Sequence, residues 1–401
     1  MKRFVVLAAL LLLSANMIFS VDFGLLMDHK FDAGRLEDGN NFFTYNPGLT
    51  PWFSWNSDKG MSLYLSTIFS LKYLKSDDGD PDNDGLRKPS LLFEVGRFSF
   101  SYRAAQRYSI EVGRIWYTDA LEQTASGLFD GFSFEKPFSK GTLSTALFYT
   151  GLQYKETAKI IMTPSDAVEY GKTYEEAGDY FASKRLFAIG RWDMPLKEYH
   201  NLSLEALFQF DLNGNEESLH SQYAQAQFDF FTQKKLGISA GVMAETMEVD
   251  GDFGFAFGAL FGLSVDMPGS LNDGLKFTSK FSSGNWNDTF IAYTPISALD
   301  QGNVFPGTFS GLWVNRINYD VRILPSLFAG GALSYFVRTS TDSEYEGNLY
   351  GGEIWLSLAW QPLDDIRVYF GGGVFLPALG NAYPSDTDTM WKISGGFSMS
   401  F

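Results

Sequence analysis

The chain ends in WKISGGFSMSF (residues 391–401), and this stretch alternates in character from one residue to the next. Apart from Gly395, the odd positions are apolar, from Trp391 through Phe397 to Phe401, whereas the even positions carry lysine, serine and glycine. Successive side chains of a β-strand point to opposite faces, so the spacing predicts a strand with one apolar and one polar face. The apolar face of this strand ends at the terminal residue.

The same period of two continues through the chain after residue 22, in roughly seventeen or eighteen stretches. Short turns such as 361–364 and 136–140 join some of the stretches. The long connections are 75–89, 154–183, 284–309 and 376–388. Long strands joined in turn by short and long connections are typical of a transmembrane β-barrel. The sequence therefore predicts an all-β fold, a transmembrane antiparallel β-barrel of about 16–18 strands with long extracellular loops.

One long connection has a helical character, because helix-forming residues follow Pro164-Ser165. The pattern predicts a short helix in the loop 154–183, and it leaves open whether this loop plugs the pore. A large soluble β-protein, such as a propeller or a β-helix, would carry a recurring motif of about 20–50 residues. The sequence shows no such repeat.

The N-terminus has the three parts of a secretory signal. Lys2 and Arg3 are followed by an apolar run, residues 4–13, and then by a polar stretch with small residues. The apolar run is shorter than the roughly 20 residues that a spanning helix needs. We therefore expect residues 1–20 to be a signal peptide, and residues 21–401 to form one barrel.

Composition excludes several classes of function. The formal net charge of −16 argues against a nucleic-acid partner, and the absence of cysteine excludes thiol catalysis and cysteine-bound metals. The three histidines, His29, His200 and His220, lie in no motif of a hydrolase. We expect no enzymatic activity and no cofactor.

The whole mature chain resembles the outer-membrane porins of bacteria. The terminal strand that finishes in Phe is similar to the assembly signal of these barrels, which implies that Trp391, Phe397 and Phe401 act in assembly. Within the porins, the chain is most similar to the alginate-export-type and related large barrels. The segments that carry this resemblance are 112–117, 127–132 and 351–377. The resemblance implies an outer-membrane location, contact with membrane lipids, and assembly by periplasmic chaperones and the barrel-assembly machinery.

Parity assigns charged residues to the lumen. The basic candidates, which oppose apolar neighbours, are Lys276, Lys280, Arg316, Arg322, Arg338 and Arg367. The acidic candidates are Glu205, Asp229, Glu245, Asp320 and Glu353. The lumen is thus expected to be mixed, with a basic bias towards the C-terminal third that favours anions. Ion pairs that only rigidify the wall are the alternative.

A pattern of apolar residue, Gly, Arg, apolar residue occurs three times and places Arg97, Arg114 and Arg191. In an uninterrupted strand each Arg would share the face of Val95, Val112 or Ile189, and we expect this face to meet lipid. An Arg at mid-bilayer costs about 2–4 kcal/mol. Either these side chains reach the membrane interface, or the glycines mark β-bulges that turn them into the lumen.

Acidic clusters in the loops account for much of the net charge. The residues Asp80, Asp82 and Asp84, with Gly85, match the start of a calcium loop, but Leu91 stands where its bidentate Glu is expected. A flexible acidic loop is the favoured interpretation, with calcium binding as the weaker alternative.

The sequence therefore predicts a porin-like channel for passive diffusion of small hydrophilic solutes, with anions preferred. It leaves open a single barrel or a homotrimer. The alternatives are a transporter of hydrophobic substrates, for which residues 32–48 would supply a hatch, and a surface adhesin or structural barrel that works through its long loops.

The terminal alternation leads to a prediction about assembly. We expect Phe401→Asp to lower the amount of folded, membrane-inserted protein far more than a substitution of Ser400, because the charge removes the apolar end of the signal. Heat-modifiability in gels measures the folded fraction. If Phe401→Asp assembled at the wild-type level, the terminal signal would be wrong.

Overall fold

A computed structural model gives the fold. It describes residues 20–76, 90–105, 107–172, 177–214, 218–232, 235–249, 251–267, 269, 272–286, 290–340 and 347–401. Nearly all of the proposed signal peptide, the calcium-loop candidates Asp80, Asp82 and Asp84, and the acidic stretch 342–346 lie outside the described residues.

Eighteen strands form one sheet in which neighbours in sequence are neighbours in space. The first nine are β1 (Ser20–Arg35), β2 (Asn41–Asn56), β3 (Met61–Ser76), β4 (Ser90–Ala104), β5 (Tyr108–Thr118), β6 (Ser126–Phe138), β7 (Gly141–Tyr149), β8 (Arg185–Lys197) and β9 (His200–Asp211). The second nine are β10 (Leu219–Thr232), β11 (Leu236–Val249), β12 (Asp252–Asp266), β13 (Gly274–Ser282), β14 (Leu312–Leu324), β15 (Leu327–Arg338), β16 (Leu349–Leu363), β17 (Ile366–Leu376) and β18 (Met390–Ser400).

Pairing of the first strand with the last closes the sheet into a barrel. β1 pairs antiparallel with both β2 and β18, so every strand has two neighbours. Leu25 and Phe401 exchange two backbone hydrogen bonds, with N···O distances of 3.2 and 2.9 Å, at the seam. The prediction of an antiparallel barrel is confirmed, and the strand number lies at the upper limit of the expected range.

The connections divide the barrel into two ends. Those after the even-numbered strands are mostly turns of two to five residues, such as 139–140 and 364–365. The connections after odd-numbered strands include 150–184 and 283–311, and we call this the long-loop end. The other end, where β1 begins and β18 ends, is the short-turn end.

The hairpin β5–β6 leaves the barrel wall halfway along its length. β4 and β5 stay paired only as far as Phe98 and Arg114, and β6 and β7 only as far as Asp130 and Tyr149. Beyond these points β5 and β6 still pair with each other up to Thr118 and Ser126. This free part of the hairpin turns into the lumen and exposes one edge of β4.

The connection 150–184 covers the gap that the hairpin leaves. It contains α1 (Lys155–Ala158) and α2 (Pro164–Gly171). The helix α2 lies where the sequence predicts a short loop helix, and Thr163 and Asp166 form a reciprocal capping box at its start. α1 is held to the wall by Lys72, whose Nζ lies 2.6 Å from Glu156 Oε2. Among the described residues, no helix has both the length and the apolar character to cross a membrane.

The interpretation of residues 32–48 as a hatch is wrong. Residues 32–35 belong to β1 and 41–48 to β2, and the two strands pair without a break from Ser20–Asn56 to Arg35–Asn41. The alternation of β2 was difficult to read because Pro47 and Pro51 interrupt it. Both prolines stand where the ladder to β3 has no paired residue.

Gly113 occupies the point where β5 leaves the wall, and its backbone has a φ of 128°. A Cβ here would collide with the carbonyl oxygen of Phe98, whereas a Cβ on Gly190, in the same sequence pattern, meets nothing within 4 Å. We therefore expect Gly113→Ala to lower barrel stability by about 1–3 kcal/mol and Gly190→Ala to leave it nearly unchanged. Urea unfolding followed by heat-modifiability measures both, and equal stability of the two variants would contradict the account.

Candidate functional site

Beside β6 to β12, loops fill the part of the lumen nearer the long-loop end with an apolar core. The inner faces of β6 to β12 contribute Phe129, Phe148, Phe187, Leu207 and Met243, which are all buried. The three inward-folded connections add Leu121, Ile160 and Ile296 to the same cluster. This packing excludes water from that part of the lumen, whereas cavities of about 490 and 450 Å³ remain against β10 to β14 and β2 to β7, nearer the short-turn end.

The tip of the β5–β6 hairpin is built around Asp119. Its Oδ1 accepts the backbone N–H groups of Thr124 and Ala125 at 2.8 and 2.7 Å. Burial raises the pKa of the Asp119 carboxyl, and these backbone donors offset part of the effect. The next residue but one, Leu121, reaches across the lumen to Gly241 of β11. The tip of the hairpin is thus held by its own hydrogen bonds and packs against β11 on the opposite wall.

The connection 283–311 crosses the lumen and is fixed by a buried carboxylate near each end of its crossing. Glu245 on β11 accepts the N–H of Thr294 at 2.8 Å. Glu353 on β16 accepts the N–H groups of Asn303, Val304 and Phe305, each at 2.9 Å. A hydrogen bond of this kind contributes about 0.5–1.5 kcal/mol, or about 1.5–3 kcal/mol where the acceptor is charged, so both side chains work as anchors of the loop.

A buried ion cluster holds α2 against the wall. The guanidinium of Arg185 lies 2.5 Å from both Asp166 and Asp211, and its side chain is fully buried. The sequence analysis missed this cluster. The alternation along β9 indicates that Asp211 points inward, because it has the same parity as Glu205. Nothing in the sequence spacing indicates that its partner Arg185 also binds Asp166 on a loop helix.

Several predicted lumen residues lie beneath the loops rather than along an open passage. The residues Glu205, Glu245, Glu353 and Arg338 are all buried. Glu205 accepts a hydrogen bond from Tyr117 of the hairpin at 2.9 Å. Arg338 packs its guanidinium over the Tyr350 ring, 5.7 Å from the centroid. All four side chains point inward, as parity predicts, but loops cover them. Of these, Glu205 and Glu353 lie within 4 Å of a basic side chain, Arg191 and Arg316 respectively, as the alternative of ion pairs within the wall requires.

The other predicted residues line two cavities that the loops leave open. A cavity of about 490 Å³, the β10–β14 cavity, contains Asp229, Lys276, Lys280 and Arg316. Lys280 Nζ lies 3.3 Å from Gln301 Oε1, and Arg316 donates to the Gln301 carbonyl at 2.8 Å. This cavity therefore touches the loop that crosses the lumen.

A larger cavity, of about 850 Å³, lies against β13 to β18 near the short-turn end, and we call it the lower cavity. It contains Asp320, Arg322 and Arg367, and all three side chains are exposed. Arg322 also lies over the Phe328 ring, 5.5 Å from its centroid. Together with Lys276, they are the exposed residues among the charged lumen candidates.

The three arginines of the repeated pattern have three different environments. Arg97 lies at a β-bulge opposite Ser66 and turns into the lumen, where it donates to Glu111 at 3.0 Å. Arg191 needs no bulge, because Ile189 is buried in the lumen core and the shared face points inward. The expectation that Ile189 and Arg191 share a lipid-facing side is wrong, since loop packing makes an apolar residue suitable on the inner face.

Arg114 faces neither the lumen nor a membrane interface. It lies at the gap in the wall, where it forms a bidentate pair with Asp130 at 2.8 and 2.9 Å. It also donates to the carbonyls of Val95 and Leu152, at 2.5 and 3.0 Å. Both alternatives offered for Arg114 from the sequence are therefore wrong, because a third environment exists where β5 leaves the wall.

The histidines are dispersed. His29 shares a 2.6 Å hydrogen bond with Tyr45, His200 stacks on Phe230, and His220 accepts the N–H of Asp211. Within the described ranges, no three His, Cys, Asp or Glu side chains are grouped to hold a metal ion.

Comparison with solved structures identifies the architecture. The chain superposes on Pseudomonas aeruginosa OccK7 (OpdD) with a TM-score of 0.65 and 11% identity, over 95% of this chain and 99% of that one. Acinetobacter baumannii OccAB2 gives a TM-score of 0.64 at 9% identity, over 95% and 98%. P. aeruginosa OpdK, solved with vanillate, gives 0.62 at 11%, over 95% and 98%. No protein-family model and no curated protein matches the sequence.

These similar structures are outer-membrane porins, and the chain shares their fold along almost its entire length. The resemblance to the porins is confirmed at the level of fold. The similar structures do not support the finer resemblance to alginate-export-type barrels.

The role of Glu353 as an anchor leads to a prediction about the connection 283–311, which crosses the lumen. We expect Glu353→Ala to release residues 303–305 and to raise single-channel conductance by up to about twofold, because three backbone donors lose their acceptor. Ser357→Ala, four residues further along β16 on the same inner face, is the control and should conduct like wild type. An unchanged conductance in Glu353→Ala would contradict the anchoring role.

Proposed function

We propose that this chain is an outer-membrane channel for passive diffusion of small hydrophilic solutes. The observation that carries the proposal is the division of the lumen. Apolar packing fills the lumen beside the long-loop ends of β6 to β12, while charged side chains face open cavities along β10 to β14 and β13 to β18. A structural barrel would gain stability from filling these cavities as well, whereas a channel needs them to hold water.

The exterior supports insertion in a bilayer. Leu333, Leu356 and Phe370 on the outer faces of β15, β16 and β17 are 55%, 63% and 49% exposed. A continuous apolar outer surface of this kind would be unfavourable in water and is favourable against lipid. The solved outer-membrane porins with the same fold support an outer-membrane location.

The charges that line the β10–β14 cavity indicate the charge of the solute. Lys276, Lys280 and Arg316 outnumber Asp229 and Glu122 in the β10–β14 cavity. Charges in a narrow passage act more strongly than loop charges, which salt screens within about 8 Å. We therefore propose a modest preference for anions. P. aeruginosa OpdK was solved with vanillate, a small carboxylate, which is compatible with this proposal.

Other partners follow from the outer-membrane proposal. The chain would meet membrane lipids along its outer face, and periplasmic chaperones and the barrel-assembly machinery during insertion. Removal of residues 1–20, assembly as a homotrimer and closer kinship with alginate-export-type barrels remain predictions from the sequence.

Planar-bilayer recording tests the proposal. We expect discrete channels in wild-type protein and a reversal potential that indicates anion preference in a salt gradient. Replacing Lys276, Arg322 and Arg367 together by Gln should lower the anion-to-cation permeability ratio about two- to fivefold, because these exposed charges attract counter-ions.

The matched control for this experiment is Arg107→Gln. Arg107 is an exposed charge in the β4–β5 turn, so salt should screen it and the ratio should stay at the wild-type value. Absence of channels in wild-type protein would overturn the proposed function. A strongly cation-selective wild type would overturn only the anion preference.

A further inference from the structure

Trp355 lies flat on the inner wall of the barrel. Its strand β16 pairs with β17 at a run of three glycines, Gly371 to Gly373. A Cβ on Gly371 would lie 2.5 Å from Trp355 Cζ2, and a Cβ on Gly373 would lie 2.8 Å from Cε3. The two glycines thus leave room for the indole to lie against bare backbone. The side chain is half-buried, and its free face borders the lumen.

The indole stands where two cavities adjoin. The lower cavity and a cavity of about 350 Å³ towards the long-loop end, the upper cavity, have only Trp355 and Ser394 in common among their lining residues. The upper cavity is bounded on its other side by residues 302–306 of the crossing loop, which Glu353 holds. A solute that moves from one cavity to the other therefore passes the Trp355 ring.

The charges around this junction are nearly balanced. The upper cavity has Arg35 and Lys392 against Glu37 and Asp300. The lower cavity has two basic and three acidic side chains. Several of them are already paired, as in Arg35 with Asp388 at 2.6 Å. The net field at Trp355 is thus weak, which suits a neutral solute better than an anion.

Polar groups share the lining of these cavities with the ring. Ser394 lines both cavities and Lys392 lines the upper one. Ser394 donates to Asp32 Oδ1 at 2.5 Å, and Lys392 Nζ lies 3.9 Å from the same oxygen. An aromatic face with ammonium and hydroxyl groups in the same lining can bind a polyhydroxylated ring. The C–H face of such a ring packs on the indole, while its edge hydroxyls form hydrogen bonds.

We propose that Trp355 is a stacking platform for neutral sugar rings of hexopyranose size, in the passage lined by β16 to β18 and β1. The proposal rests on the proposed channel function and goes beyond it, because it assigns a second solute class and a specificity-determining residue. Binding is weak enough for release, as passage through a channel requires.

Titration of the ion current in planar bilayers tests the proposal. Glucose and sorbitol have the same number of carbons and nearly equal mass, but only glucose presents a ring face. We expect glucose to reduce the KCl current of wild-type channels saturably and sorbitol to reduce it only in proportion to viscosity. In Trp355→Leu the half-saturating glucose concentration should rise about threefold or more, which corresponds to the loss of one aromatic contact.

Two further variants separate recognition from folding. Trp52→Leu is the control, because Trp52 lies on Gly24 in the same way but lines neither cavity, so its glucose titration should match wild type. Trp355→Phe keeps a flat ring and should fall between wild type and Trp355→Leu. Heat-modifiability reports the folded fraction of each variant. A change in glucose binding can therefore be distinguished from poor folding.

Three results would overturn the platform while leaving the channel intact. These are saturation by sorbitol as strong as by glucose, an unchanged half-saturating concentration in Trp355→Leu, or saturation by benzoate without saturation by glucose. The last result would assign the junction to aromatic anions. No KCl current in wild-type protein would instead overturn the proposed channel itself.

Discussion

The structure depends on one constraint, the need to satisfy the edge of β4 where the β5–β6 hairpin departs. In a bilayer, each unpaired backbone group costs several kcal/mol because lipid offers no hydrogen-bond partner. Arg114 donates to the carbonyl of Val95 and Tyr180 donates to that of Phe93, so side chains replace the missing strand. Without these contacts the hairpin could not leave the wall, and the lumen would not be divided.

The division of the lumen follows from this departure. The hairpin carries Tyr117 and Asp119 to the inner faces of distant strands, and the connections 150–184 and 283–311 pack around it. Buried charged side chains bind these loops at single sites: Glu353 binds the backbone at Phe305, and Arg185 binds Asp166. A buried charge is costly unless it is paired, so each anchor restricts its loop to one position.

The barrel could be predicted from the sequence because the alternation of apolar and polar residues is visible within each strand separately. The alternation also assigned the inward faces of Glu245, Glu353 and Arg316 correctly, since parity is a local property. It did not distinguish a wall covered by a loop from a wall in contact with water, because that depends on contacts between residues far apart in the chain. For the same reason it did not find the pair of Arg185 with Asp166, or the gap that holds Arg114. The proposed anion preference depends on which charged wall residues are in contact with water, and the reversal potential tests that preference.

Covered and uncovered wall residues have different consequences for transport. Glu205, Glu245, Glu353 and Arg338 already have protein partners and are shielded from the passage, so they contribute rigidity rather than field. Lys276, Arg322 and Arg367 are exposed and can act on ions. At Trp355, by contrast, opposing charges lie close together, and shape and hydrogen bonding must decide what binds. In the proposed channel, a basic excess therefore lies in the β10–β14 cavity, whereas the charges of the upper and lower cavities nearly balance, because the loops leave a different set of wall residues uncovered in each.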